Sequence, residues 1–260
     1  MLHQPVKLHP KLSLLCLLFV TIFFAGCWSE KPEVEQVMEE AISAHGWEQL
    51  DAGVVSFRQE NVLYRVLRDG DASLYSRTFR NGNGERVYDV LTGNSFTRTI
   101  NDQEVPLGQD EVQAYSDSIR SVVFLVMLPY VLQDADMQQK YIGNVRLHGQ
   151  PYHKVRITFP ARSGKRVSHP AGSFLLWIHR QHHTLDYLVY SPRNDGKGNR
   201  FAQAVNPREV GGIRFQDYNY YTTKRRISPA RLDYAFEAGK LDKVSETKIE
   251  DIKVSDLPSL

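Results

Sequence analysis

From Val54 onward the apolar residues of this chain recur mostly at every second position, the period of a strand with one buried face. Before that point the period is helical. Val34, Val37, Met38, Ala41 and Ile42 fall on one face of a helix over Glu33 to Ala44, and Gly46 supplies a stop. Strands are then expected at Val54 to Arg58, Asn61 to Arg68 and Ala72 to Arg80, the last two joined by an Asp69-Gly70 turn. Arg86 to Leu91 and Ser95 to Ile100 flank Gly93-Asn94 as a further hairpin. Such a meander places each strand beside its predecessor.

Gln109 to Gln133 interrupts the meander with helical spacing of Val112, Ile119, Val122, Val123, Val126, Met127, Tyr130 and Val131. Asp110 is a candidate cap. Val122 to Leu128 is apolar on all sides, which predicts a largely buried helix, and Pro129 should kink or end it. Strands resume at His153 to Phe159, where apolar and charged residues alternate. In Phe174 to Ile178 both faces are apolar, so both need cover. Leu185 to Tyr190, Phe201 to Val205, Gly212 to Tyr221, Leu232 to Glu237 and Lys243 to Ile252 complete about ten strands. The expected class is α+β: a curved antiparallel half-barrel with the N-terminal helix and the central apolar helix against its concave face.

Ahead of all this, Lys7 and Lys11 precede an apolar run from Leu12 to Phe24, followed by Ala25-Gly26-Cys27. This has the three-part form of a secretory signal. The small-small-Cys ending resembles the lipobox of bacterial lipoproteins, with Phe24 where that motif carries Leu. The resemblance implies cleavage after residue 26, diacylation of Cys27 through sulfur and acylation of its new amine. The run is shorter than the about 20 residues a spanning helix needs, and two or more acyl chains give stable anchoring. The organisation expected is a signal peptide over 1–26, a lipidated cysteine and tether over 27–32, and one domain over 33–260. Trp28 and Ser29 follow the cysteine with no aspartate, which points to the outer membrane.

Two longer segments carry a second resemblance. Phe174-Leu175-Leu176-Trp177-Ile178 with its return strand, and Arg200 to Arg208 running on through Gly211 to Tyr218, are similar to an uncharacterised family of Bacteroidetes envelope lipoproteins. The order of elements resembles the LolA and LolB type of lipoprotein carrier. There an incomplete barrel lidded by helices holds acyl chains. That likeness implies an apolar cleft that takes a lipid, a lipidated protein or another hydrophobic ligand. Phe124, Met127, Phe174, Leu176, Trp177, Tyr187 and Tyr190 are the candidate lining residues. Each of them is individually also a plausible core residue.

Composition narrows the chemistry. The formal net charge of +2 gives no global pull toward nucleic acid. The only cysteines are Cys16, inside the segment expected to be removed, and Cys27, so thiol catalysis and cysteine metal sites fall away. No further segment is apolar enough to cross a bilayer. Thirteen tyrosines and twelve phenylalanines favour strands. His179, His182 and His183 gather at one hairpin tip, but only Asp186 stands near to complete a ligand set, so a polar turn is the reading preferred over a metal site. Arg193, Lys197 and Arg200 surround a Gly-containing loop without a P-loop ending, and a solvated basic loop is preferred over an anion site. Arg208, Arg214, Asp217 and Asn206, beside Tyr218, Tyr220 and Tyr221, form either a polar rim or a structural ion pair locking the Gly211-Gly212 hairpin. No hydrolase elbow, zinc-protease helix or dinucleotide fingerprint occurs, and no cofactor pattern is present. The reading is a non-catalytic envelope lipoprotein that binds a hydrophobic ligand. The alternatives are an envelope adaptor that binds another protein, and an envelope hydrolase without a readable motif.

Overall fold

In a computed structural model, the residues described are 33–70, 72–93, 95–133, 137–158, 173–190, 199–225 and 227–257. The signal segment, Cys27, the tether, Arg193 and Lys197 lie outside them. Helix α1 spans Val34–His45 and buries Val37, Met38, Ala41 and Ile42, the face expected from its periodicity. Gly46 ends it in the left-handed conformation, φ 72°, its N–H donating to the carbonyls of Ile42 and Ser43. A Cβ there would lie 2.0 Å from the Gly212 carbonyl oxygen, so close approach of backbones requires glycine.

Fourteen strands follow among the described residues, all antiparallel, in two seven-stranded sheets rather than one sheet of about ten. The first sheet holds β1 (Ala52–Gln59), β2 (Val62–Asp69), β3 (Ala72–Arg80), β4 (Arg86–Thr92), β5 (Ser95–Ile100) and β6 (Gln103–Glu104), with β14 (Glu250–Ser255) outside β1. The second runs β7 (Gln138–Leu147), β8 (Gln150–Thr158), β9 (Ser173–His179), β10 (Leu185–Tyr190), β11 (Arg200–Val210), β12 (Ile213–Thr222) and β13 (Asp242–Thr247) in order.

The sheets meet at a seam. β13 pairs with β12 in one sheet and β14 with β1 in the other, and only Lys248 and Ile249 separate them. One near-continuous segment therefore changes sheets, a common way of turning a corner. The stretch Lys243 to Ile252 is two strands for this reason. Asp217 holds the crossing point: its Oδ1 accepts the Ile249 N–H at 3.1 Å and the Arg208 guanidinium at 2.8 Å. Arg208 also donates to the Ile249 carbonyl, and Asn206 donates to the other Asp217 oxygen at 3.1 Å. This is the structural ion pair of the two readings considered from the sequence. A Cβ on Gly211 would stand 2.7 Å from Cβ of Val254, which seats the β11–β12 turn against β14.

Helix α2 (Gln109–Val126) lies between the sheets. Its N-cap is Gly108, not Asp110, and the Glu111 carboxylate accepts the Gly108 N–H at 2.9 Å. A short 3₁₀ turn over Tyr130–Gln133 follows Pro129, as the expected break requires. The N-terminal half of α2 is docked on the first sheet by polar groups. Asp89 on β4 is fully buried and takes Arg77 of β3 at 2.7 Å and Arg98 of β5 at 2.7 and 2.8 Å. Arg77 reaches on to Ser118 of α2 at 2.9 Å, and the Arg98 guanidinium covers the ring of Tyr115 of α2 at 3.6 Å. Farther along, Ile119, Val123 and Met127 pack with Val55, Phe57, Val66 and Leu91 of the first sheet. Phe124 and Leu128 pack with Val155, Phe174, Leu176 and Leu188 of the second.

Leu232–Glu237 is a helix, α3, not the strand its alternation suggests. Leu232, Ala235 and Phe236 also fit helical spacing, and Ser228-Pro229 opens the turn before it. Helix α3 covers the opposite face of the second sheet, where Leu232 and Phe236 meet Trp177, Tyr187 and Phe201. Asp233 joins it to the sheet through Lys154 at 2.6 Å and the Trp177 indole N–H at 3.1 Å.

Candidate functional site

Where the sheets part beside the seam, a cleft of about 90 Å³ remains. The C-terminal half of α2 forms one wall with Ser121, Val122, Leu125 and Val126. Gln216 and Tyr218 of β12, Thr247 of β13 and Ile249 at the sheet crossing form the other, with Gln59 at the end of β1. Val122, Leu125 and Val126 are half-buried, in contrast to Val123, Phe124, Met127 and Leu128, which are buried. The all-round apolar stretch of α2 therefore faces three ways, toward the two sheets, which cover it, and toward this cleft, which leaves it half-covered. No charged side chain stands among the described lining residues.

Most of the polar groups in the cleft stand on the wall opposite α2, which contributes Ser121 alone. Period-two alternation after the Gly211-Gly212 turn puts Gln216 and Tyr218 on the same face of β12, and Tyr218 pairs across to Thr247. The Gln216 amide donates to the Leu185 carbonyl at 3.0 Å and to the Tyr218 hydroxyl at 2.7 Å. Its own carbonyl oxygen is buried and has no partner among the described residues. Burial pushes the Tyr218 hydroxyl up to about 12, so it stays protonated at any physiological pH. Burial raises Tyr220 as well, and Thr247 donates to its hydroxyl at 3.2 Å.

The residues selected from the sequence as lining fall into three clusters. Phe124, Phe174 and Leu176 lie together between α2 and the second sheet, the two phenyl rings 5.2 Å apart, with partly buried Tyr190 stacked on Phe174 at 6.1 Å. Met127 faces the first sheet. Trp177 and Tyr187 sit on the other face of the second sheet, under α3. None of the seven is among the walls of the 90 Å³ cleft. Tyr187 instead edges an open, polar groove of about 560 Å³ with His182, Asp186 and Arg214. Gln216 lies within the family-like stretch but is not among the residues the sequence singles out. The available signal is an uncharged amide at the same parity as Tyr218 and Tyr220 on β12.

The histidine tip forms a packed turn. The His179 and His182 rings stack at 4.6 Å, His179 Nδ1 accepts the N–H groups of Gln181 and His182, and His183 lies 3.0 Å from the Glu40 carboxylate. Among the described residues no three potential ligands gather as a metal site.

The two sheets with α2 held between them make an α+β fold of the LolA type. A LolA superfamily protein from Nitrosomonas europaea is similar at 15% identity and TM-score 0.50, covering 88% of this chain and 96% of that one. The chain belongs to the family of unknown function DUF6503, whose model matches residues 13–251. Further similar structures are the lipoprotein LppX of Mycobacterium tuberculosis (13% identity, TM-score 0.27, 75% of this chain and 97% of that) and a DUF1329 family protein from Desulfovibrio piger (9%, 0.37, 86% and 93%). No curated protein matches the sequence.

Proposed function

We propose that this protein is a non-catalytic, lipid-anchored envelope protein that binds an apolar ligand in the cleft between α2 and the sheet seam. One observation carries the reading: Val122, Leu125 and Val126 leave the apolar helix half-covered beside an opening with no charged wall. Aliphatic side chains that a helix does not bury against protein gain from burial against a ligand, at about 25 cal/mol per Å². The LolA type fold supports the reading as a scaffold only. The volume sets a limit. At about 30 Å³ per water, the opening holds some three waters or the tip of one chain. A multi-chain lipid requires the C-terminal half of α2 to swing out.

Val126→Asp tests this. A carboxylate on a half-buried site keeps access to water, so the melting temperature should move by only a few degrees, a change of about 1 kcal/mol or less. A ligand seated over that carboxylate would strip its hydration, so affinity for an apolar fluorescent probe should fall roughly tenfold or more. Unfolding of the variant would instead assign the helix to the core.

The membrane attachment proposed is through Cys27 to the outer membrane. No described helix is long and apolar enough to cross a membrane. Cys27→Ser should abolish incorporation of labelled palmitate and move the protein to the soluble fraction. Label retained in the variant, or wild-type protein that fractionates with inner-membrane markers, would contradict the anchor or its destination.

A further inference from the structure

The cleft has a built polar end. Gln216 is 6% exposed, and both of its N–H hydrogens are used, on the Leu185 carbonyl and the Tyr218 hydroxyl. Its carbonyl oxygen then remains as a buried acceptor without a donor among the described residues. A buried acceptor left in that condition is unfavourable, and this one belongs to a residue on the wall of an opening rather than inside a filled core. The Tyr218 oxygen is occupied as an acceptor by the Gln216 amide, which frees its O–H to donate. One acceptor and one donor are therefore presented side by side. The described walls hold no cation to neutralise an anionic headgroup and no anion to hold an ammonium.

We propose that Gln216 and Tyr218 select apolar chains that carry a neutral group able both to donate and to accept a hydrogen bond, a hydroxyl or a secondary amide. The inference rests on the ligand-binding reading above. The ligand's donor satisfies Gln216 Oε1 while its oxygen accepts from Tyr218, and the chain runs along Val122, Leu125 and Val126. A phosphate or carboxylate headgroup is rejected because it would lose its hydration without compensation. Tyr218 keeps its proton throughout the physiological range, so the selection is independent of pH there.

The test is displacement of a bound apolar probe from the purified protein by three molecules of matched length: 1-octanol, methyl heptyl ether and nonane. Octanol both donates and accepts, the ether only accepts, and nonane does neither. Octanol should bind roughly tenfold more tightly than nonane, with the ether between them. Gln216→Leu should remove the advantage of octanol over the ether. Because that change also strips a donor from Leu185, Tyr218→Phe serves as the second variant and should bring the ether down to nonane. Equal binding of all three by the wild type, or an octanol preference surviving both changes, overturns the selection while leaving an apolar carrier. Binding of none of the three overturns the carrier reading itself.

Discussion

Asp89→Ala is expected to lower stability by about 3–5 kcal/mol, because it strands two guanidinium groups that the carboxylate neutralises in the interior. The side chain is fully buried, and Arg77 and Arg98 converge on it at 2.7–2.8 Å from the two flanking strands. Direct cross-strand pairing of Arg77 with Asp89 and of Asp89 with Arg98 makes the three charges a single row across the sheet. The same row holds α2, through Ser118 and Tyr115. The variant should therefore show both a lower denaturation midpoint and weaker probe binding, since the helix that walls the cleft loses its fixed end. A midpoint within about 1 kcal/mol of wild type would mean that the row is dispensable.

The second large effect lies on the far side of the molecule. Asp233→Ala should also cost about 3–5 kcal/mol, because it leaves the Lys154 ammonium buried without its partner. Lys154 is 3% exposed; apart from Asp233 it meets the Ala230 carbonyl at 2.7 Å and the Trp177 ring at 4.6 Å. Changing both partners to apolar residues, Lys154→Met with Asp233→Leu, should recover most of the loss. Because α3 covers the face of the second sheet away from the cleft, neither change should alter probe affinity at temperatures where the protein stays folded. Equilibrium unfolding of the singles and the double gives the coupling directly. A double variant no better than Asp233→Ala would show that α3 is held by something other than this pair.

Much of the fold was legible because it depends on period alone. The alternation of β1 to β5, the Asp69-Gly70 turn and the stop at Gly46 all appear where spacing and turn chemistry placed them. Three features escaped for physical reasons. Lys243 to Ile252 reads as one strand, and only pairing to two different neighbours divides it at Lys248–Ile249. Leu232 to Glu237 is too short for period to separate helix from strand, and packing of Leu232 and Phe236 against the aromatic face of the second sheet decides it. β7 begins with the polar run Gln138-Gln139-Lys140 and carries a bulge near Gly143, which hides its alternation.

The site was legible only in part. The apolar character of Val122 to Leu128 points correctly to a helix with much of its surface buried. It could not say that Val122, Leu125 and Val126 meet an opening while Phe124 and Met127 meet opposite sheets, because that depends on where the sheets separate. Trp177 and Tyr187 share β9 and β10 with Leu176 and Leu188 but project from the other face, a distinction that needs the location of α3. In the sequence Arg77, Asp89 and Arg98 are three well-separated polar residues, and only strand register aligns them into a row.

Native mass spectrometry of the purified protein tests the central claim most directly. The account predicts a population heavier than the bare chain by the mass of a small, neutral, apolar molecule, released on gentle activation and reduced in Val126→Asp. A single species at the mass of the bare chain, from protein that also binds no apolar probe, would contradict it and favour the adaptor reading.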